Sequence, residues 1–387
     1  RSFFAARSSV RFNWITALLA DAAAARGVPV AKLLGSWPIG LFGQGHRSQR
    51  LWECCADSTS TMSGRIGHDK ACTTALLRES YIPMPAQRVV RTAQDLVAAQ
   101  EALGFPLVVK GRATEKGKTV TTGISNGDEL RRAVDKVRKH NDQIIIEKHI
   151  PGDDYRFTVI GFRLAAAVRR TTAQVVGDGR STIQTLVERE NARRRGHGRY
   201  ARWIVSLELD REALAMLARD GLQPDSVPSA GQVVALRSAA NLSLGGLAED
   251  VTDEVHPEIV RTVERACRLV RLDMAGVDLI TSDITRPLSE TGGAILEING
   301  RPGLRPHYVT STPARDVAGA VIDYLFPEPH RGRIPTVVVT GTNGKTTTCR
   351  MTARIFEASG LTVGLTSTSG ISIGGESVAS GDHAGTR

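Results

Sequence analysis

Residues 337–348 read VVVTGTNGKTTT. The three β-branched valines predict a buried strand, within Ile334–Thr340, running into a loop bracketed by Gly341 and Gly344. Glycine there permits backbone angles that turn amide N–H groups toward one point. Thr342 and Asn343 fill the loop, and Lys345 carries a cation toward β- and γ-phosphates. Thr346, followed by Thr347, opens a helix whose positive end faces the anion and whose hydroxyl can hold Mg²⁺. The segment therefore reads as an ATP phosphate loop; a plain glycine turn between strand and helix would need neither Lys345 nor Thr346. Only Thr347–Arg387 follow, too little to complete a nucleotide-binding domain.

Working back, Phe326-Pro327-Glu328-Pro329 is a proline-bounded linker that stops a helix expected over Ala314–Leu325. The expected divisions are 1–66, the remnant of an N-terminal module; 67–328, the main domain; and 329–387, the beginning of the phosphate-loop domain. Residues 1–66 contain one helix, around Ile15–Ala25, and a loop-rich stretch at Gly35–Gly45. From Asp69 the pattern is regular. Helices are expected at Asp69–Ser80, after Thr92, at Asp128–His140, Ser181–Arg194, Arg211–Asp220 and His256–Arg271. Strands are expected at Gln87–Val90, Leu107–Lys110, Gln143–Lys148, Met274–Thr281 and Ala294–Ile298, with a hairpin around Gly161-Phe162.

The 387 residues suffice for two or three domains. No apolar run is long enough to span a bilayer, so no membrane partner is expected. Cys54, Cys55, Cys72, Cys267 and Cys349 lack paired metal-ligand spacing, which suits a reducing cytoplasm. A net charge of +10 suits a polyanionic partner. The densest basic cluster, Arg193–Arg195 with Arg199 and Arg202, lacks interleaved aromatics, so nucleic acid is not expected.

Glu297 and Asn299 alternate with Ile298 and so share a strand face; with Asp278 they form a set of hard oxygen donors suited to Mg²⁺. Alone, Glu-Ile-Asn is equally well explained by polar alternation on a surface strand. Lys110 ends an apolar strand, where desolvation calls for an anionic partner, and phosphate would supply one. Glu147, Lys148, Ile150 and Asp154 follow along one extended segment, which could offer an adenine acceptor, an apolar floor and a ribose-binding carboxylate. The other reading of Glu147 and Asp154 is solvated residues at a strand end.

Lys70, Val108–Lys110, EKHIPGDDYR at Glu147–Arg156, GVD at Gly276–Asp278 and EINGRPG at Glu297–Gly303 resemble an ATP-grasp ligase. More narrowly, VVGDGRSTI (Val175–Ile183), VPSAGQVV (Val227–Val234), ANLSLGG (Ala240–Gly246), DVTDEVHP (Asp250–Pro257) and RIPTVVVTGTNGKTTT resemble the cyanophycin synthetase family, which joins an ATP-grasp domain to a Mur-ligase-like one. The fold implied is α/β: an α+β ATP-grasp domain, then the first strand-loop-helix unit of a P-loop Mur-type domain. The resemblance implies ATP phosphates at Lys70 and Lys110, adenosine at Glu147, Lys148, Ile150 and Asp154, and Mg²⁺ at Asp278, Glu297 and Asn299. It implies a polar acceptor loop at Asn241, Ser243, Gly245 and Gly246, with Arg305 and His307 facing peptide carboxylates and Arg305 and Lys110 neutralising charge in catalysis. Gly341–Thr347 would belong to a second ATP site.

The activity so implied is ATP-dependent activation of a peptide or polymer primer's C-terminal carboxylate as an acyl phosphate, then joining of aspartate. Arginine addition would need a complete Mur-like domain. A homo-oligomer is expected on the same ground. Two departures stand out. The family's glycine-rich lid is here Ala113–Thr119, retaining only Gly117 beside Lys116 and Lys118. Arg301 and Leu304 change the family's Asn-Ala-x-Pro-Gly-Phe-Arg, which points to altered substrate preference. Other readings are a dipeptide-polymerising or glutathione-synthetase-like ligase, or a non-catalytic nucleotide-binding fragment.

Overall fold

The computed structural model describes residues 13–32, 39–112, 120–141, 143–196, 204–237, 240, 242–310, 313–327 and 331–384. The lid residues 113–119, together with Asn241, Arg199 and Arg202, lie outside the described residues. Two compact units result, Arg1–Arg333 and Ile334–Arg387.

The first unit begins with helix α1 (Trp14–Ala25), capped by Asn13. A four-stranded antiparallel sheet follows: β1 (Val30–Lys32), β2 (Ile39–Phe42), β3 (Gln49–Trp52) and β4 (Cys55–Ala56). Strand β2 falls inside the stretch expected to be loop. Its short alternation, with only Gly40 and Phe42 buried, is too brief to stand out in the sequence. Helices α2 (Thr61–His68) and α3 (Lys70–Glu79) come next, the latter starting where Asp69 accepts from the amides of Ala71 and Cys72.

A second sheet, in the order β5-β8-β6-β7, contains β5 (Gln87–Val90), β6 (Leu107–Gly111), β7 (Thr121–Ile124) and β8 (Ile144–Lys148). It is covered by α4 (Ala93–Leu103) and α5 (Gly127–Arg138). Thr92 and Asp95 form a reciprocal capping box at the start of α4.

The central sheet places β9 (Asp153–Ile160) beside β10 (Arg163–Thr171) through the expected turn, where Gly161 and Phe162 both take positive φ. After β10 the chain leaves the sheet. It forms β11 (Gln174–Val176), α6 (Ile183–Arg195), α7 (Arg211–Arg219) and β12 (Val233–Ala235), with a separate core of Ile183, Leu186, Leu207, Leu217 and Leu236. The chain then returns as β13 (Leu247–Asp250), directly paired with β10. Helix α8 (Pro257–Val270), β14 (Met274–Thr281), the short α9 (Leu288–Thr291), β15 (Ala294–Asn299) and α10 (Val317–Leu325) complete the unit. The sheet order is β13-β10-β9-β14-β15.

Alternation gives this sheet two unlike faces. Tyr155, Phe157, Val159, Val277, Leu279 and Ile298 pack beneath α8. On the other face, Ile160, Ala166 and Met274 are covered by α1 and α10. Farther along that second face the side chains become polar.

The second unit contains α11 (Lys345–Ala358) and an antiparallel sheet of β16 (Gly364–Ser367), β17 (Gly370–Ile373) and β18 (Glu376–Ser380). The strand expected before Gly341 is corrected here: residues 334–340 form no strand, and Val337 and Val338 are 61% and 84% exposed. A buried parallel strand depends on ladder partners on its flanks. Among the described residues of this unit the sheet order is β16-β17-β18, with no place for residues 337–339. The three valines have strand propensity but no ladder partner among the described residues.

Candidate active site

The polar end of the central sheet is a cross-strand row. Asp278 on β14 stands opposite Arg156 on β9 and opposite Glu297 on β15. Arg156 Nη1 donates to Asp278 Oδ1 at 2.8 Å. Arg170, on β10, donates to Asp154 Oδ1 at 2.6 Å and lies 3.3 Å from Asp278 Oδ1. Asn299 donates from Nδ2 to Glu297 Oε1 at 2.9 Å, and the Lys70 ammonium is 3.5 Å from Glu297 Oε2. Five strands and helices thus contribute to one chain of charges.

Burial sets the electrostatics. Desolvation would raise the Asp278 carboxyl, but Arg156 and then Arg170 hold it well below the usual carboxylate range. Burial pushes Asp154 up to about 6, against the pull of Arg170. Burial would lower the Arg170 guanidinium, yet Asp278 and Asp154 raise it. Asp278 therefore stays anionic although enclosed. Asp278, Glu297 and the Asn299 carboxamide form a hard-oxygen donor set on one face, a set that fits a divalent cation of the Mg²⁺ type. Among the described residues no three His, Cys, Asp or Glu side chains are placed to hold a metal ion by themselves, so a bound ion would keep water and phosphate oxygens, as Mg²⁺ does.

Gly276 explains how Arg156 reaches Asp278. A Cβ at 276 would fall on the Arg156 guanidinium, so the arginine lies across bare backbone. Arg156, Arg170 and Gly276 escaped the sequence reading as site residues. The available signal was the i, i+2 pair Asp154 and Arg156, which places both side chains on one strand face.

Lys110 is 6% exposed and Glu147 3%. Their charged groups meet at 2.6 Å across β6 and β8. The anionic partner sought for Lys110 in a phosphate is, in this structure, a carboxylate on the neighbouring strand. Lys148 turns away and donates to the carbonyls of Gly104 and Phe105 at 3.2 and 2.7 Å. Ile150, just past β8, is half-buried.

On the acceptor side, Gly245 (φ +90°) and Gly246 are buried in the return to β13; the Ser243 side chain lies outside the described residues. Arg305 donates to the Leu242 carbonyl at 3.4 Å, and burial lowers its guanidinium. His307 is 1% exposed and shares a 2.6 Å hydrogen bond with Thr158. Burial, with Arg156 adding to it, pushes His307 down to about 3, so the ring is neutral.

In the second unit, Gly341 and Gly344 take φ of +151° and +79°. Gly344 immediately precedes α11, and Lys345 folds back to donate to the carbonyls of Gly341 and Thr342 at 2.6 and 3.2 Å. Thr342, Asn343 and Thr347 are exposed, and Thr346 lies 3.4 Å, hydroxyl to hydroxyl, from Thr368.

An antiparallel sheet carrying the buried Asp278 carboxylate, together with a second sheet carrying the buried Lys110, fits the ATP-grasp arrangement. Residues 75–180 match the family described as D-ala D-ala ligase C-terminus. The solved bifunctional glutathione synthetase from Pasteurella multocida has this fold, with TM-score 0.64, 25% identity, and coverage of 82% of this chain and 44% of that one. The chain is similar to the cyanophycin synthetases. It is 40% identical over 363 residues to that of Trichormus variabilis, covering 93% of this chain and 40% of the relative. With that of Geminocystis herdmanii it shares 39% over 368 residues, 94% and 42% of the two chains. The chain thus spans about two-fifths of these relatives' length, and the matched stretch is longer than the first unit alone.

Proposed function

We propose that the first unit is an ATP-dependent carboxylate–amine ligase that activates a peptide's C-terminal carboxylate and joins aspartate to it. The observation that carries this reading is the Asp278–Glu297 cross-strand pair, in which Asp278 is enclosed yet held anionic by Arg156 and Arg170. The similarity to cyanophycin synthetases supports the substrates.

In this reading Asp278, Glu297 and Asn299 would hold Mg²⁺, which would supply neutralisation of phosphate charge. The peptide carboxylate attacks the γ-phosphate to give an acyl phosphate and ADP; the aspartate amine then attacks the acyl carbon and phosphate leaves, its proton passing to solvent. The protein positions and neutralises. Lys70 and Lys110 attract phosphate oxygens, while Arg305 faces the peptide carboxylate. Glu147, Ile150 and Asp154 line the adenosine side. Gly341–Thr347 hold a second nucleotide.

The test is ADP release measured with and without aspartate and a short peptide primer. Release requiring both, with the primer one residue longer by mass, supports the ligase. Nucleotide binding with no turnover under any amino acid and primer refutes it.

A further inference from the structure

Helix α3 starts at a charged corner shared by two sheets. Asp69 Oδ1 accepts from the amides of Ala71 and Cys72 at 3.1 and 3.2 Å, which caps the helix. The same carboxylate accepts from Arg112, 43 positions away, with Nε at 3.0 Å from Oδ1 and Nη2 at 2.6 Å from Oδ2. Arg112 directly follows β6 and is itself fixed from the start of β8. Its amide donates to the Gln143 carbonyl at 3.1 Å, and its Nη1 donates to Gln143 Oε1 at 2.6 Å. Asp69, in contrast, travels with the central sheet, because Leu77 of α3 is fully buried in one core with Ile298 of β15. The pair therefore joins the second sheet to the central one.

Each partner stands beside a lysine assigned to ATP. Lys70 follows Asp69 and comes to 3.5 Å from Glu297 in the carboxylate row. Lys110 precedes Arg112 by two residues, at the end of β6. We propose that Arg112 is a positioning residue: by gripping both carboxylate oxygens of Asp69 it holds Lys70 and Lys110 in register for the phosphates of one nucleotide. The inference rests on the ligase reading and deepens it. A bidentate fork fixes direction as well as distance, so it can set the spacing of two sheets where a single contact would leave a hinge. Neither lysine needs Arg112 to balance its charge, since Glu297 and Glu147 already face them. The role is geometric, and it is felt by the nucleotide rather than by the amino acid or the primer.

The experiment compares the full chain with Arg112→Ala, Arg112→Lys, Asp69→Asn and the double variant combining Arg112→Ala with Asp69→Asn. Asparagine caps a helix as well as aspartate does, so α3 keeps its start. ADP release gives kcat and separate KM values for ATP, aspartate and primer. Calorimetry with ATP gives affinity on the same variants, each also carrying Lys345→Ala to take the glycine loop's nucleotide out of the signal. Arg112→Ala is expected to weaken ATP about fivefold in both KM and affinity, the upper contribution of an exposed pair of good geometry. KM for aspartate and primer should not move. Arg112→Lys should recover part of the loss, because an ammonium cannot grip both oxygens as a fork. Asp69→Asn should match Arg112→Ala, and the double variant should lose no more than either. Unchanged ATP affinity in Arg112→Ala overturns the proposal, as does an equal rise in KM for all three substrates. Aspartate-dependent turnover whose ATP dependence ignores Arg112 sinks this inference and keeps the ligase. ATP affinity that depends on Arg112 in a chain without turnover does the reverse.

Discussion

The carboxylate row of the first unit and the glycine loop of the second differ in how their charges are held. In the first, Arg156 and Asp278 are 122 positions apart and meet inside a sheet, with Glu297 arriving from a third strand. In the second, Lys345 is exposed and bonds only three and four residues back, to its own loop. A network of distant partners is fixed before any ligand arrives. A local loop can be recognised from sequence and still owe its final shape to whatever it later meets.

The sharpest way to break this contrast is Glu297→Gln. Loss of one preorganised electrostatic group should cut aspartate- and primer-dependent ADP release by about 10²–10³-fold, with an unchanged circular dichroism spectrum. Activity near that of the parent would refute the role given to the row. Gly276→Ala comes next. Overfilling a packed site typically costs about 1–3 kcal/mol, and here the displaced group is the arginine that keeps Asp278 charged. Turnover should fall at least tenfold and the melting temperature by several degrees; an alanine that changed neither would show that Arg156 does not govern the centre.

Acid should sharpen the contrast through His307. Its folded value near 3 lies below the ordinary value of 6.5, so the unfolded chain binds the extra proton between those limits. The stability this neutral ring contributes is complete above about pH 6.5 and is lost as pH falls toward 3. His307→Gln should flatten that acid limb in urea melts; a limb of unchanged slope would assign it elsewhere. The smallest effect is expected from Lys345→Ala, which should weaken nucleotide binding by the loop while changing aspartate-dependent turnover less than twofold. A collapse of turnover would mean that the two sites had been assigned the wrong way round.

Legibility in the sequence followed the same division. Asp69, Thr92 and Asn126 mark helix starts because a cap needs only the next three residues. Gly161-Phe162 marks the hairpin for a similar local reason. Asp278, Glu297 and Asn299 could be singled out by residue type and alternation, and the structure brings them side by side. What could not be read was pairing at a distance. Lys110 calls for an anion, but nothing near it in sequence says that Glu147 supplies one. Arg170 looks like an ordinary strand residue until β10 is laid against β9. Val337–Val339 err the other way: their strand propensity is evident, yet with no partner strand among the described residues Val337 and Val338 are exposed.

The excursion between β10 and β13 leaves and re-enters the sheet at Thr171 and Leu247, which are themselves ladder partners. Its own apolar interior makes it a self-supporting appendix hung from two adjacent points. Mutation can lengthen, trim or re-sculpt that appendix without severing a rung of the sheet below. The carboxylate row on β14 and β15 lies outside that appendix, so changes within it need not disturb the row.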